Sequence, residues 1–295
     1  MSTFRANNSQ LLAPGIANIL FEELGEHPEE FSQFLKVETM DGAFTMDQIY
    51  AGFGLAKRKP EGEGILYDDP IQGPSKRYIP DMFALGWQVT EEMLDDDRYG
   101  VMRQLPKLLG KSMRQTVEQI GANVLNLGFT TVTTADGVSF FNSAHPLLGG
   151  GTYSNRLTTD MDLSVGSLQA AISLFENMVD HRGLKVRLAP TDLWIPPELQ
   201  FIAGQILQSE YAPFTGNNEV NTMQGRLTPH VLHFLTDSNA WFISSSDQNG
   251  AKFIWRKKPV MDSTDDFETK GTKHSIRFRV AAGATDWPGW VAANP

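Results

Sequence analysis

The stretch from Asp95 to Leu127, DDDRYGVMRQLPKLLGKSMRQTVEQIGANVLNL, carries the strongest helix pattern in the chain. Negative charge favours a helix N-terminus, which is where the three aspartates of 95–97 stand. Pro106 is expected to kink the helix or to begin its main part, and Gly110 and Gly121 weaken it. At 1.5 Å per residue the rod would be roughly 35–45 Å long. Spacings of three and four residues predict one apolar face, made of Val101, Leu105, Leu109, Met113, Val117, Ile120, Val124 and Leu127.

Two segments that lack an apolar core of their own precede this helix. Residues 1–50 carry eight Asp or Glu against two basic residues, which indicates an acidic arm, with a short helix after Pro28. Residues 54–81 are rich in Gly, Pro and charge, which predicts an exposed excursion. Alternation in MFALGWQVT, residues 82–90, and the similar spacing around residues 65–67 predict two half-buried strands. An isolated hairpin is marginal in water, so this long two-stranded loop is expected to need a neighbour.

The second half of the chain mixes helices and strands. A helix is predicted over residues 163–183 with Gly183 as its stop, and a second helix opens at Pro196-Pro197 directly after a buried strand. Strands are predicted at 193–195, 230–235, 241–245 and 252–256, and a further strand, the last of the chain, alternates through 275–280. The polar stretch DSTDDFETKG, residues 262–271, precedes that last strand, and its run Asp262–Asp266 is interpreted as a solvated turn.

Composition excludes several classes of protein. The formal net charge is −10, which disfavours a free-standing nucleic-acid binder. The chain has no cysteine, so disulfides, thiolate metal sites and a cysteine nucleophile are excluded. No apolar run is long enough to cross a bilayer, and the N-terminus lacks the apolar segment of a signal peptide. These features predict a protein made and kept in the cytoplasm of its cell, without a membrane.

The loop DGVSFFNSAHPLLGGGTYSN, residues 136–155, holds residue types that occur in catalytic sites. Ser143 and His145 suggest a nucleophile and a base, but the Gly-x-Ser-x-Gly turn of hydrolases is absent. Gly149-Gly150-Gly151 suggests a phosphate cradle, but the lysine of a P-loop does not follow. Both features are better explained as a tight, solvated loop. His230 and His233 would face opposite sides of a strand, so they predict no metal site. We therefore expect no catalytic residue, no metal and no cofactor.

The order of these parts resembles the major head proteins of tailed bacteriophages, in particular those of Mu-like phages and prophages. The resemblance is spread over nearly the whole chain and does not depend on any one motif. Six stretches carry it: LLAPGIANILFEELGEHPEEF (11–31), FALGWQVTEEMLDDDRYG (83–100), ANVLNLGF (122–129), FFNSAHPLLGGGTYSN (140–155), LFENMVDHRGLKVRLAPTDLWIPPEL (174–199) and GATDWPGW (283–290).

The resemblance implies an α+β fold, the tailed-phage capsid fold of the Hong Kong 97 type. In this fold an N-terminal arm and an extended β-hairpin loop accompany a peripheral domain with a long spine helix and an axial domain. Mapped onto this sequence, the implied segments are 1–50 for the arm, 51–92 for the extended loop, 93–162 for the peripheral domain, 163–261 for the axial domain and 262–295 for a C-terminal return to the peripheral domain.

The implied function is that of a structural major capsid protein, not an enzyme, which self-assembles into the icosahedral head around double-stranded DNA. Its implied partners are itself, as hexamers and pentamers, a scaffolding protein, a portal and a decoration protein. DNA would be contacted weakly and non-specifically. Its location would be the virion, after assembly in the bacterial host cytoplasm. Lys252, Arg256, Lys257 and Lys258 would face either DNA or a neighbouring acidic arm. Expected subunit-interface residues are Phe21, Phe31, Phe34, Lys57, Arg58, Lys59, Lys76 and Arg77.

Two alternatives stay open from the sequence alone. An encapsulin-like cellular shell would share the fold and enclose a protein cargo. A Ser/His hydrolase built on Ser143 and His145 would belong to a different class, and it would need a third partner and an oxyanion donor that the sequence does not offer.

Overall fold

The computed structural model describes residues 28–90, 104–211, 220–246, 250–266 and 271–295, together with positions 20, 22, 25, 92 and 93. The described helices are α1 (Phe31–Phe34), α2 (Gln104–Asn126), α3 (Val165–Glu176) and α4 (Gln200–Gln208). The described strands are β1 (Lys36–Thr39), β2 (Thr45–Ala51), β3 (Ile71–Tyr78), β4 (Asp81–Thr90), β5 (His145–Pro146), β6 (Thr152–Tyr153), β7 (Asp192–Ile195), β8 (Thr228–Val231), β9 (Trp241–Ser244), β10 (Ala251–Asp266), β11 (Gly271–Ala284) and β12 (Trp290–Ala293).

The largest sheet is built around the long antiparallel pair of β10 and β11. Its strand order is β1-β10-β11-β4, and β1 runs parallel to β10 while the other neighbours are antiparallel. Alternation places Ile276, Phe278 and Val280 on one face, all at most 1% exposed. The alternation predicted for the last strand is therefore confirmed. The solvated turn predicted at 262–266 is wrong, because these residues continue β10 by pairing with β11.

Helix α2 covers the apolar face of this sheet. It has 23 described residues, which corresponds to about 35 Å at 1.5 Å per residue. Four of the predicted core positions are buried: Leu109, Met113, Val117 and Val124. Leu127 was predicted for the same face but lies beyond the helix and is 42% exposed. The aspartates of 95–97 and Val101 lie outside the described residues.

The arm packs onto α2 through hydrogen bonds to the Glu118 side chain and a close contact of the Phe31 side chain with Gly121. The carboxylate of Glu118, which is 3% exposed, accepts hydrogen bonds from the backbone N–H groups of Glu30 (3.0 Å) and Phe31 (3.1 Å). Burial raises the pKa of Glu118, while the two backbone donors favour its charged form. One turn further along α2, Gly121 leaves the space in which Phe31 sits. The short helix predicted after Pro28 is confirmed as α1.

A second sheet has the order β12-β9-β7-β8, and its first three strands are buried on both faces while the edge strand β8 is partly exposed. One face packs with α3 and α4 and includes Leu193, Ile195 and Trp241. The opposite face joins the core beneath α2 and includes Trp194 and Phe242. A strand buried on both sides must be apolar throughout, which explains the runs DLWI, WFIS and WVAA. The predicted strands at 193–195 and 241–245 and the helix after Pro196-Pro197 are confirmed, the latter through a short 3-10 turn.

The extended loop is a hairpin, but its strands differ from the predicted ones. Strand β2 pairs with β3 in antiparallel register, and the connection 52–70 contains no strand. Residues 65–67 therefore do not form the predicted strand. The other predicted strand exists as β4, but it pairs with β11 because its apolar side chains, such as Phe83 against Phe278, join the main core.

Helix α3 has a capping box at its N-terminus and ends earlier than predicted. The side chain of Ser164 accepts a hydrogen bond from the Ser167 backbone, and the Ser167 side chain completes a capping box. The helix ends at Glu176, seven residues before the predicted stop. The backbone N–H of Val186 donates to the Met178 carbonyl, so the chain turns back on itself there. Gly183, with φ +83°, lies in that turn and not at the helix end.

We expect Gly121→Ala to lower the free energy of unfolding by about 1–3 kcal/mol, because overpacking a tight contact costs that much. A Cβ at this position would lie 2.4 Å from the Cβ of Phe31. Gly204→Ala in α4 is the matched control, since a Cβ there meets nothing within 4 Å. The control should gain about 0.5–1 kcal/mol. Chemical denaturation measures both variants, and equal effects would contradict the close approach of arm and helix.

Candidate functional site: the histidine cluster and the extended loop

His145 is fully buried and makes two hydrogen bonds through its ring nitrogens. Its Nδ1 lies 2.6 Å from Asp136 Oδ2, and its Nε2 lies 3.1 Å from Asn155 Oδ1. Asn155 is oriented by its neighbours, since its Nδ2 donates to the Phe140 carbonyl and its Oδ1 accepts from the Asn142 backbone. Both ring nitrogens thus face acceptor atoms. His145 and Asp136 form a buried, hydrogen-bonded pair within the loop.

The charge of Asp136 is stabilised by its surroundings. Burial opposes its charged form, but hydrogen bonds from His145 and from Thr134 outweigh burial and hold the pKa of Asp136 below its usual range. The backbone N–H of Val138 donates to the same carboxylate at 3.2 Å. The loop whose sequence resembles a catalytic loop is therefore closed by an internal hydrogen-bond network around Asp136.

Ser143 does not take part in this network. It is exposed, whereas His145 is 0% exposed and is engaged by Asp136 and Asn155. A serine nucleophile needs its base within hydrogen-bond distance and with a free nitrogen. The described geometry therefore gives no support to a Ser143–His145 hydrolase.

A second histidine–carboxylate pair also lies beside Trp287. His181 Nε2 is 2.9 Å from both carboxylate oxygens of Asp286. The Trp287 ring stacks on His145 (centroids 5.1 Å apart) and on Tyr153 (5.1 Å), and it meets His181 edge-on at 5.8 Å. Burial lowers the pKa of His181, but Asp286 reverses the direction and the net pKa is raised. The GATDWPGW stretch thus ties the C-terminus to two loops.

The three glycines of 149–151 serve backbone geometry. The backbone N–H of Gly149 donates to the His181 carbonyl at 2.8 Å, and a Cβ on Gly149 would lie 2.8 Å from the Arg182 carbonyl oxygen. Gly150 and Gly151 have φ of +95° and +87°, where side chains are strained. The close approach at Gly149 and the positive φ of the next two glycines explain the glycine run, in agreement with the predicted tight loop.

A polar network anchors the base of the extended loop. Lys252 Nζ lies 2.6 Å from Asp47 on β2 and 3.4 Å from Glu38 on β1. Tyr78 at the end of β3 shares a 2.7 Å hydrogen bond with Thr285, whose hydroxyl also lies 3.0 Å from Asp47. Burial would lower the pKa of Lys252, but the two carboxylates raise it, while burial raises the pKa of Tyr78. The network fixes both strands of the hairpin to the main sheet.

Beyond this base the loop exposes large apolar side chains. Leu66 is 73% exposed and Tyr67 is 93% exposed, and the same holds for their neighbours in the connection 52–70. Exposed apolar residues gathered in one segment are typical of an interaction surface. We call this set the loop tip; it consists of Phe53, Leu55, Ile65, Leu66 and Tyr67.

The residues expected at a subunit interface fall into four groups: buried, engaged within their own chain, exposed, and outside the described residues. Phe31 (0% exposed) and Phe34 (1%) are buried in the core of their own chain, which leaves almost no side-chain area for a neighbour. Lys76 donates to the Thr133 carbonyl at 2.8 Å, and burial lowers its pKa. Arg77 lies 4.0 Å from the centroid of the Phe44 ring. Lys57, Arg58 and Lys59 are exposed near the loop tip, and Phe21 lies outside the described residues.

The described residues hold no group of three or more His, Asp or Glu arranged for a metal ion. His230 instead pairs with Asp192 at 2.9 Å, and His233 with Glu30 at 2.7 Å. In the part of the chain that the structure describes, no helix has the length and apolar character that crossing a bilayer requires.

Comparison with known sequences gives one family. Residues 74–293 match the model of a family described as phage capsid protein. The Mu-like prophage FluMu major head subunit of Haemophilus influenzae is 24% identical over 166 residues, which cover 54% of this chain and 54% of that protein. The chain therefore spans about half the length of this curated relative.

Comparison with solved structures gives the fold. A chain of Microbacterium phage Oxtober96 matches with a TM-score of 0.59 and 12% identity, covering 91% of both chains. A chain from the procapsid of bacteriophage JBD30 matches with a TM-score of 0.57 and 15% identity, covering 99% of this chain and 76% of that one. The α+β tailed-phage capsid fold implied by the sequence is confirmed.

We expect Ser143→Ala and His145→Ala to differ sharply, although the two positions are neighbours. His145→Ala leaves the Asp136 carboxylate buried without its partner, which costs about 3–5 kcal/mol of unfolding free energy. Ser143→Ala removes an exposed hydroxyl and should stay within about 0.5 kcal/mol of wild type. Denaturant titration measures both, and a large loss in the serine variant would show that Ser143 has a role the described contacts do not include.

The His181–Asp286 pair predicts a pH-dependent contribution to stability. The folded pKa of His181 lies above its ordinary value of 6.5, so the pair stabilises the fold fully below that pH and loses this stabilisation as pH rises through the folded pKa. Asp136 and Asp180 add to the effect. The stability difference between wild type and Asp286→Asn should be largest near about pH 6 and shrink towards about pH 9. A difference that does not change with pH would contradict this.

Proposed function

The chain belongs to the phage capsid protein family, and from that premise we propose that it is the major head subunit of a tailed phage. In this role it is a structural protein that assembles with copies of itself into an icosahedral shell. The observation that carries the proposal is the loop tip, five large apolar side chains between 62% and 93% exposed on a segment anchored at its base. A soluble chain that exposes such a segment buries it against a partner.

The partners we propose follow from that role. Copies of the subunit form hexamers and pentamers, while a scaffolding protein, a portal and a decoration protein complete the head. The formal charge of −10 supports a shell that confines double-stranded DNA without gripping it. The protein would reside in the virion after assembly in the cytoplasm of the bacterial host.

The basic residues of β10 divide between two roles. Lys252 is engaged by Asp47 and Glu38, both within the acidic first 50 residues of its own chain, which supports the arm as its partner instead of DNA. Lys257 and Lys258 are exposed, and we propose them, with Arg256, as the weak and non-specific contacts. Lys57, Arg58 and Lys59 next to the loop tip are proposed for the contact between subunits.

We propose the same five segments for the chain as a working division: 1–50, 51–92, 93–162, 163–261 and 262–295. Two strand pairings cross the boundaries between these segments. The first part of β10, from Ala251, pairs with β11 in the large sheet, and β12 pairs with β9 in the second sheet. The core beneath α2 also contacts one face of the second sheet, so the peripheral and axial parts share buried side chains.

The family match favours a phage head over an encapsulin-like compartment, because the matching model is one of phage capsid proteins. The hydrolase alternative is not proposed, since His145 is occupied by Asp136 and Asn155 and Ser143 lies outside that network. We propose no enzymatic role.

We expect the protein, expressed with its scaffolding partner, to sediment as closed particles in the megadalton range. Replacing Leu66 and Tyr67 of the loop tip by Ser should leave the subunit folded, because both side chains are exposed, and should abolish closed particles. Glu61→Ser with Glu63→Ser, two exposed polar residues of the same loop, is the matched control. Circular dichroism checks folding, and electron microscopy counts particles. Normal particle yield from the tip variant would contradict the role of the loop tip.

A further inference from the structure

The turn from Asp180 to Gly183, with the sequence DHRG, contacts three distant parts of the chain. Asp180 shapes it, because its Oδ1 accepts hydrogen bonds from the backbone N–H groups of Arg182 (2.9 Å) and Leu184 (2.8 Å). The positive φ of Gly183 closes the turn, and its N–H donates to the Asp180 carbonyl at 2.9 Å. We call these four residues the DHRG turn.

The first half of the DHRG turn is fixed to the body of the subunit. His181 inserts its ring beside Trp287 and pairs with Asp286, and its carbonyl accepts from the Gly149 backbone. Its side chain is 7% exposed. A turn held by an ion pair, an aromatic contact and a backbone hydrogen bond is a rigid support for the next side chain.

The second half of the turn reaches the extended loop. Arg182 makes an ion pair with Asp68 through both terminal guanidinium nitrogens, and its Nη2 also donates to the Asp69 carbonyl at 2.6 Å. Asp68 in turn accepts from the backbone N–H of Gly54 at 2.7 Å, so the same carboxylate joins the two sides of the loop. The Arg182 guanidinium and this backbone donor lower the pKa of Asp68.

The strength of this contact comes from its geometry. An isolated surface ion pair contributes little, because two flexible side chains must be ordered in water. Here the Arg182 side chain is 14% exposed, against 49% for Asp68, so the donor is already held against the body of the subunit. A planar guanidinium that binds a carboxylate and a carbonyl together fixes orientation as well as distance.

We propose that Arg182 is a positioning residue for shell assembly, which tethers the extended loop through Asp68 and Asp69 and so holds the loop tip ready for a neighbouring subunit. The claim that the loop tip is held ready for a neighbouring subunit rests on the proposed function. The tether itself is a property of the free subunit. Ordering the loop before contact reduces the conformational entropy lost at contact, which favours association.

The test compares Arg182→Ala, Asp68→Asn and the double variant in the free subunit. Hydrogen exchange at the Gly54 amide, which donates to Asp68, should be about tenfold faster in each single variant, because the loop can then open without first breaking the tether. The double variant should be no faster than either single variant, because both remove the same interaction. Arg187→Ala is the matched control, an exposed arginine five residues along the same segment, and should leave loop exchange unchanged.

Particle counting by electron microscopy then separates the two claims. Arg182→Ala with normal thermal stability and a severalfold loss of closed particles supports the proposal, and Arg182→Lys should recover part of the yield because it keeps charge but not the fork. Unchanged loop exchange in Arg182→Ala would overturn the tether, whatever the wild type assembles into. Faster loop exchange with an equal or higher particle yield would overturn the positioning role. Wild-type protein that forms no particles would instead reject the proposed function and leave the exchange result valid for the tether.

Discussion

The structure depends on burying the apolar face of the long β10–β11 pair beneath helix α2. That face is a row of large side chains, and no other described helix is long enough to cover it. Each fully buried Phe or Ile in such a row contributes roughly 1.5–3 kcal/mol. The helix in turn supports the arm, because Glu118 and Gly121 give α1 its place, and Phe31 then packs on Phe253 with ring centroids 4.2 Å apart. The same core continues to one face of the second sheet.

Polar networks at the borders of this core fix the positions of the loops. The Lys252–Asp47 pair and the Tyr78–Thr285 hydrogen bond fix the base of the extended loop, and the DHRG turn reaches its far side. The two histidine pairs around Trp287 join three loops that are distant in sequence. In a low-dielectric setting such pairs are costly when broken, so they specify one arrangement of the loops. Polar contacts that fix the surface loops to an apolar core suit a subunit whose loops contact other copies of the same chain.

The sequence predicted features that follow from local periodicity. The apolar stripe of α2, the alternation of β11 and the Pro-Pro opening of α4 depend on neighbours a few residues apart, and these are confirmed. Features that depend on distant partners were missed. Glu118 reads as a solvated helix residue until Phe31 is known to lie 87 positions away, and the partner of β4 is a strand almost 190 residues later. His145 was judged a turn residue, since nothing local shows that Asp136 and Asn155 close on both of its nitrogens.

The order of many weak motifs in the sequence indicated the function, and the fold agrees with that function. The contacts between subunits are proposed from the exposed surface of the loop tip. The central claim is that this chain closes a shell by placing the extended loop of each subunit against the next. A cryo-electron microscopy reconstruction of the purified particles tests this most directly. The account predicts an icosahedral map in which Leu66 and Tyr67 are buried against a neighbouring copy. A small, closed oligomer that leaves the loop tip in solvent would contradict it.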